Sequence, residues 1–128
     1  MNTPVSFPIA KLLKAKGYDK KCYKYFHSNF GKEYEYTLKG SDGELCTNWN
    51  IEKDYPQDFI SAPTIAEVVM WLYEKHGIWI WVSIELGYNI TFCWQLTGEN
   101  MSSNYKPNFK SPTEAYEGAI EYTLNNLI

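Results

Sequence analysis

Between Thr64 and Leu96 the hydrophobic positions change their period once, and that change predicts the centre of the fold. Ile65, Val68, Val69 and Leu72 recur at helical spacing, the apolar stripe of an amphipathic helix. Thr64 and Glu67 stand as T-x-x-E at its start, the pattern of a capping box, and Gly77 ends it just after His76. From Ile78 the period becomes two. Ile78, Ile80, Val82 and Ile84 point one way, and Trp79, Trp81, Ser83 and Glu85 the other. Leu86-Gly87-Tyr88 makes a tight turn. Ile90, Phe92, Trp94 and Leu96 then resume the apolar face, opposite Thr91, Cys93, Gln95 and Thr97. The pattern predicts a helix over 64–76 and a hairpin over 78–97.

The flanks carry two more helices. Ser6 to Gly17 places Pro8 in a first turn, where its missing N–H costs nothing, and sets Ile9, Leu12 and Leu13 in a stripe ahead of Gly17. Ser111 to Leu127 opens with Ser111 as cap, Pro112 at the first helical position and Glu114 completing a second capping box. Tyr116, Ala119, Ile120, Thr123 and Leu127 form its expected inner face. In the less regular stretch from Tyr18 to Asp58, Cys22, Tyr23, Tyr25 and Phe26 suggest a short strand. Tyr34, Tyr36 and Leu38 alternate with polar neighbours as in a half-buried strand. Gly40-Ser41-Asp42-Gly43 reads as a turn, Glu44 to Trp49 as an antiparallel return, and Ile51 to Ala62 as loop. Gly98 to Lys110 is polar and reads as a mobile loop. The expected fold is α+β, a small antiparallel sheet with helices packed on it, in the order α-β-β-α-β-β-α. At 128 residues the expectation is a single domain, 1–128.

Composition narrows the function. With 45% hydrophobic and 21% charged residues, the chain belongs with globular proteins rather than disordered ones. The longest dense apolar run, Ile78 to Val82, is far short of the ~20 residues of a membrane helix, and Met1 to Ala10 has no basic-then-apolar leader pattern. Cys22, Cys46 and Cys93 are an odd, widely spaced set that fits reduced thiols, so a cytoplasmic setting is expected. The net charge of -3 hides a split: residues 1–40 carry eight Lys against three acids, and residues 41–128 four Lys against twelve acids. Every basic residue is Lys. Without arginine's planar fork, base-specific or bidentate phosphate recognition is disfavoured. Abundant Lys, Asn, Ile, Tyr and Phe beside absent Arg also match an AT-rich coding source.

No catalytic constellation emerges. G-x-S-x-G, HExxH, a P-loop and G-x-G-x-x-G are all missing. His76 sits where a helix C-terminus favours a cation. His27, Cys22 and Cys46 lack the paired short spacings of a zinc site, so no metal and no cofactor is expected. Cys93 would need a histidine beside it to act as a nucleophile. Glu114, Glu117 and Glu121 on one helix flank, and Asp54 and Asp58 in a loop, read as solvated surface. Trp79 and Trp81 are different: they share the second face of a strand whose first face is already aliphatic, and such a strand calls for cover on both sides. That cover is either the N-terminal half, through Tyr34, Tyr36 or Trp49, or a partner, a second copy, or a stacked ligand.

The order Ile9-Ala10-Lys11-Leu12-Leu13-Lys14, Ala62-Pro63-Thr64, Trp71-Leu72 with Glu74, His76, Gly77 and Ile78, and Ser111-Pro112-Thr113-Glu114-Ala115-Tyr116 resembles small proteins encoded by phages and prophages of Bacteroidetes-type bacteria. The resemblance spans most of the chain. It implies this helix, hairpin and helix order and a phage or prophage provenance, but no activity. The functional expectation is a non-enzymatic accessory protein in the bacterial cytoplasm that binds a protein partner or itself. The candidate interaction surface is Trp79, Trp81, Lys11, Lys14, Lys20 and Lys21. The alternative is weak nucleic-acid binding through Lys11, Lys14, Lys16, Lys20, Lys21 and Lys24, with a steep salt dependence.

Overall fold

Residues 2–27, 37–40, 48–51, 59–99 and 101–128 are described by a computed structural model. They form three helices, α1 (Phe7–Ala15), α2 (Ile65–His76) and α3 (Pro112–Asn126). With these go six strands, β1 (Lys24–His27), β2 (Thr37–Gly40), β3 (Phe59–Ser61), β4 (Ile78–Leu86), β5 (Ile90–Gly98) and β6 (Met101–Phe109). The fold is α+β with two small antiparallel sheets, ordered β2-β1-β3 and β4-β5-β6. The chain divides into two compact units, one of Met1–Thr3 with Ile65–Ile128 and one of Pro4–Thr64.

In the C-terminal unit the change of period falls where the pattern places it. Gly77 separates α2 from β4 at φ +68°, a left-handed conformation that glycine adopts without the Cβ penalty. The hairpin register pairs Ile80 with Leu96, Val82 with Trp94 and Ile84 with Phe92, so the aliphatic residues of both strands share one face. α3 packs on that face of β4 and β5, and α2 packs beside α3 and on β4. Ala115, Ala119, Ile120, Thr123 and Leu124 are the buried residues of α3, so Leu124 is fully buried where Tyr116 and Leu127 are half-buried. Each large aliphatic side chain enclosed here contributes about 1.5–3 kcal/mol. Ser111 caps α3, its Oγ accepting from the Glu114 N–H at 3.1 Å, while Glu114 Oε2 accepts from the Lys110 N–H at 3.1 Å. The box therefore closes one residue earlier than the usual reciprocal bond to the cap.

The expected loop over 98–110 is instead the strand β6. Its register with β5 explains why the pattern hides it. Lys106 and Phe109 stand opposite Trp94 and Phe92, and Met101 and Asn104 opposite Gly98 and Leu96. At both places β6 spends three steps against two in β5, so each irregularity adds one residue to β6. A bulge of this kind resets the alternation and erases the period-two signal. Asn108 takes φ 72°, a conformation that asparagine tolerates better than most residues, and Pro107 is accommodated on an edge strand.

In the N-terminal unit, α1 runs as expected from its Ser6 cap, with Ile9, Ala10 and Leu13 buried. β1 pairs with β2 through Tyr25–Lys39 and Phe26–Leu38, and with β3 through Phe26–Ile60. β3 lies inside the stretch expected to be loop. Trp49 lies in a 3-10 turn (Trp49–Ile51) rather than in a returning strand. Its buried indole N–H donates to the Cys22 carbonyl at 2.9 Å, and its ring stacks on Tyr25 at 4.0 Å. Asn50 ties three segments together: its Oδ1 accepts from the Ser61 N–H at 2.8 Å and its Nδ2 donates to the Tyr18 carbonyl at 3.1 Å. The expected strand residues Tyr34 and Tyr36, the turn at 41–43, the return at 44–47, Cys46, Asp54 and Asp58 lie outside the described residues.

Candidate functional site

At about 3.3 Å per residue the nine-residue strands β4 and β5 extend some 30 Å. At 1.5 Å per residue the fifteen-residue α3 extends about 22 Å and α2 less. Neither helix matches the ribbon in length. Near Gly77 the apolar face is closed: Ile80, Trp94 and Leu96 are 2%, 3% and 0% exposed. Toward the turn the same face opens. Ile84 is 54% exposed, Ile90 63% and Leu86 81%, with Tyr88 fully exposed at the tip. The expectation that the aliphatic face packs on helices therefore holds for the first half of the ribbon and fails for the second, where Ile84, Leu86 and Ile90 are exposed.

The opposite face is mixed. Trp79 is half-buried, with Tyr73 of α2 edge-on to its ring at 5.3 Å. Trp81 is 54% exposed, its indole N–H reaching the Thr97 hydroxyl at 3.3 Å. Tyr105 of β6, opposite Gln95, lies on this face and donates to Glu85 Oε2 at 2.9 Å. That bond, with some desolvation and the negative charge of Glu85, holds the Tyr105 phenol above its ordinary value. Trp49, one candidate to cover the tryptophans, is enclosed among Tyr25 and Phe59 within its own unit.

Cys93 is buried on the same face, 3.1 Å from the Ser83 hydroxyl and 3.6 Å from the Ser83 carbonyl, a cross-strand pairing of a small polarizable side chain. His76 closes α2 with its ring edge-on to Trp71 at 5.0 Å, and its Nε2 is buried without a hydrogen-bond partner. Burial, and then the neighbouring Lys75 charge, lower its pKa. A shallow groove beside α3 is lined by Trp94, Lys106, Phe109, Glu121 and Tyr122. Among the described residues no group of three His, Cys, Asp or Glu side chains stands together, and no helix is long and apolar enough to cross a membrane.

The candidate lysines fall into the other unit. Lys11, Lys20 and Lys21 are exposed, with the Lys11 ammonium 5.7 Å from the Phe7 ring centroid. Lys14 is committed: its Nζ donates to the Phe59 carbonyl at 2.8 Å, and partial burial lowers its pKa. Of the two candidate tryptophans, Trp81 is exposed and Trp79 half-buried, and the exposure of Ile84, Leu86, Tyr88, Ile90 and Tyr105 was not among the expectations. The apolar alternation is the same at Ile80 and at Ile84, so the pattern carries no signal for which half of the face is covered. Comparison with protein-family models, curated proteins and solved structures finds no match.

Proposed function

We propose that this chain is a non-enzymatic binding protein whose open hairpin end docks on a protein surface. One observation carries the reading: Ile84, Leu86, Tyr88 and Ile90 form a contiguous exposed apolar end on a ribbon paired without a break. Scattered single apolar residues on a surface need no explanation, whereas a contiguous patch marks an interaction site. Trp81 and Tyr105 on the reverse face add the aromatic side chains that dominate protein interfaces. The provenance reading, a phage or prophage accessory protein working in the bacterial cytoplasm, rests on the motif order and on the all-lysine basic set.

The test is a paired pull-down from host lysate with the full chain and its Leu86→Lys/Ile90→Lys variant. Both positions are exposed, so the folded state should persist, as far-UV circular dichroism will verify. Capture by the parent that disappears in the variant supports the reading. Capture that is equal in both, or retention of nucleic acid that tracks the lysines of residues 11–24 and vanishes with salt, overturns it.

A further inference from the structure

We infer that the occupant of this surface is a second copy of the chain, joined edge to edge through β4 in an antiparallel pair centred on Val82. The inference rests on the docking role of the hairpin and names its partner. The two edges of the C-terminal sheet, β4 and β6, are built differently. β6 forms one edge and is guarded: it holds Lys106, Pro107 and the left-handed Asn108, and its register shifts twice, irregularities of the kind that blunt an edge against further pairing. β4 forms the other edge, and among the described residues it pairs with β5 alone. It has none of these devices. Its nine residues, Ile78 to Leu86, contain no proline, no glycine and no lysine, and pair without a break with β5. Every second residue of such an edge directs its N–H and C=O outward, as a template for another strand.

A closed pair of identical edges needs a two-fold axis perpendicular to the sheet, so one residue of β4 must face its own copy. Centring on Val82 uses all nine residues and matches the sequence on both faces. On the aliphatic face, Ile78 meets Leu86 of the second copy and Ile80 meets Ile84. On the other face Trp81 meets the small Ser83, and Trp79 meets Glu85. The single charge of β4 therefore never opposes itself, which like charges directly across a strand pair would penalise. Helix cover is complementary too. The half of β4 near Gly77 lies under helices and the half near the turn does not, and the two-fold places each open half beside the helix-covered half of the other copy. At about 200 Å² for a large side chain, the exposed fractions of the β4 residues Trp81, Ile84 and Leu86 come to on the order of 400 Å² of side chain per copy that the pairing draws toward the second copy, about half of the ~800 Å² each partner contributes to a standard-sized interface.

Sedimentation velocity of the full chain, with two variants, tests this. The wild type should sediment at twice the monomer mass. Ser83→Lys, an exposed position next to the axis, should return it to the monomer with an unchanged circular dichroism spectrum. Val82→Cys should form a disulfide-linked dimer on mild oxidation where the wild type does not, because residues directly opposed in an antiparallel pair lie within disulfide reach. A wild-type monomer at every concentration overturns the inference, as does a dimer that Ser83→Lys leaves intact and Val82→Cys does not cross-link. A monomer whose pull-down still depends on Leu86 and Ile90 removes the second copy and leaves the docking role standing. A monomer that captures nothing removes both.

Discussion

Gly118 offers a perturbation whose sign the structure decides. It sits in the middle of α3, where replacing glycine by alanine ordinarily stabilises a helix by about 1 kcal/mol. Here a Cβ at residue 118 would lie 2.9 and 3.0 Å from two carbons of the Phe109 ring and 3.4 Å from the Trp94 indole nitrogen. Contacts that close require the ring to move, and overpacking of this kind costs about 1–3 kcal/mol. Phe109 is half-buried with the Lys106 ammonium 5.9 Å from its ring centroid, and it closes the bulged end of β6 against β5, so its displacement also loosens a strand end. The cost outweighs the propensity gain, and Gly118→Ala should lower stability by about 1 kcal/mol. In urea, with a slope of roughly 1–3 kcal/mol per molar, the midpoint should fall by about 0.5 M. The control is the same substitution in a Phe109→Ala background, where the two closest contacts are gone and only the 3.4 Å approach to the Trp94 indole nitrogen remains. There Gly118→Ala should raise the midpoint by a similar amount, the intrinsic helix preference showing through. A midpoint that rises in the wild-type background refutes the reasoning, because it means that α3 and β6 do not approach as closely as Gly118 implies.

Three further outcomes follow from other sites. Asn50→Ala removes the acceptor of the Ser61 N–H and the donor to the Tyr18 carbonyl. It should destabilise the N-terminal unit by about 1–3 kcal/mol, read as lost hydrogen-exchange protection at Ser61. His76 titrates below its ordinary 6.5 in the folded chain. The unfolded chain therefore binds the proton first, and the contribution is complete above pH 6.5 and declines as pH falls from there toward the folded value. A His76→Gln variant should flatten that decline, and a His76 ring resonance titrating above 6.5 would contradict the assignment. Tyr105 titrates above its ordinary 10.0 because its phenol donates to Glu85. Its contribution is present below pH 10 and is lost as pH rises through the folded value, and in Glu85→Gln the labelled Tyr105 resonance should titrate closer to 10.

The helices were legible because their signals are local. Ser111, Pro112 and Glu114 announce α3 within four residues, and Gly77 marks the end of α2 with a conformation few other residues tolerate. The β4–β5 hairpin was legible because its alternation runs unbroken through nine residue pairs. β6 was not, since its two extra residues reset the alternation and a one-sided edge strand carries little apolar signal. β3 was not, because three residues are too few for any period to appear. Trp49 reads equally well as a strand residue or a core plug, and only the stack on Tyr25 and the bond to Cys22 distinguish them.

The amino-acid sequence by itself determined where the three helices and the β4–β5 ribbon lie, and that one face of that ribbon is oily along its length. Local backbone chemistry and side-chain period suffice for that, since both act over a few neighbouring residues. How far the oily face is covered was decided only by tertiary structure: the packed helices bury Ile80, Trp94 and Leu96 and leave Ile84, Leu86 and Ile90 exposed. The commitment of Lys14 to the Phe59 carbonyl was likewise a tertiary decision. Both depend on which distant segments meet, and sequence period carries no information about distance across the fold.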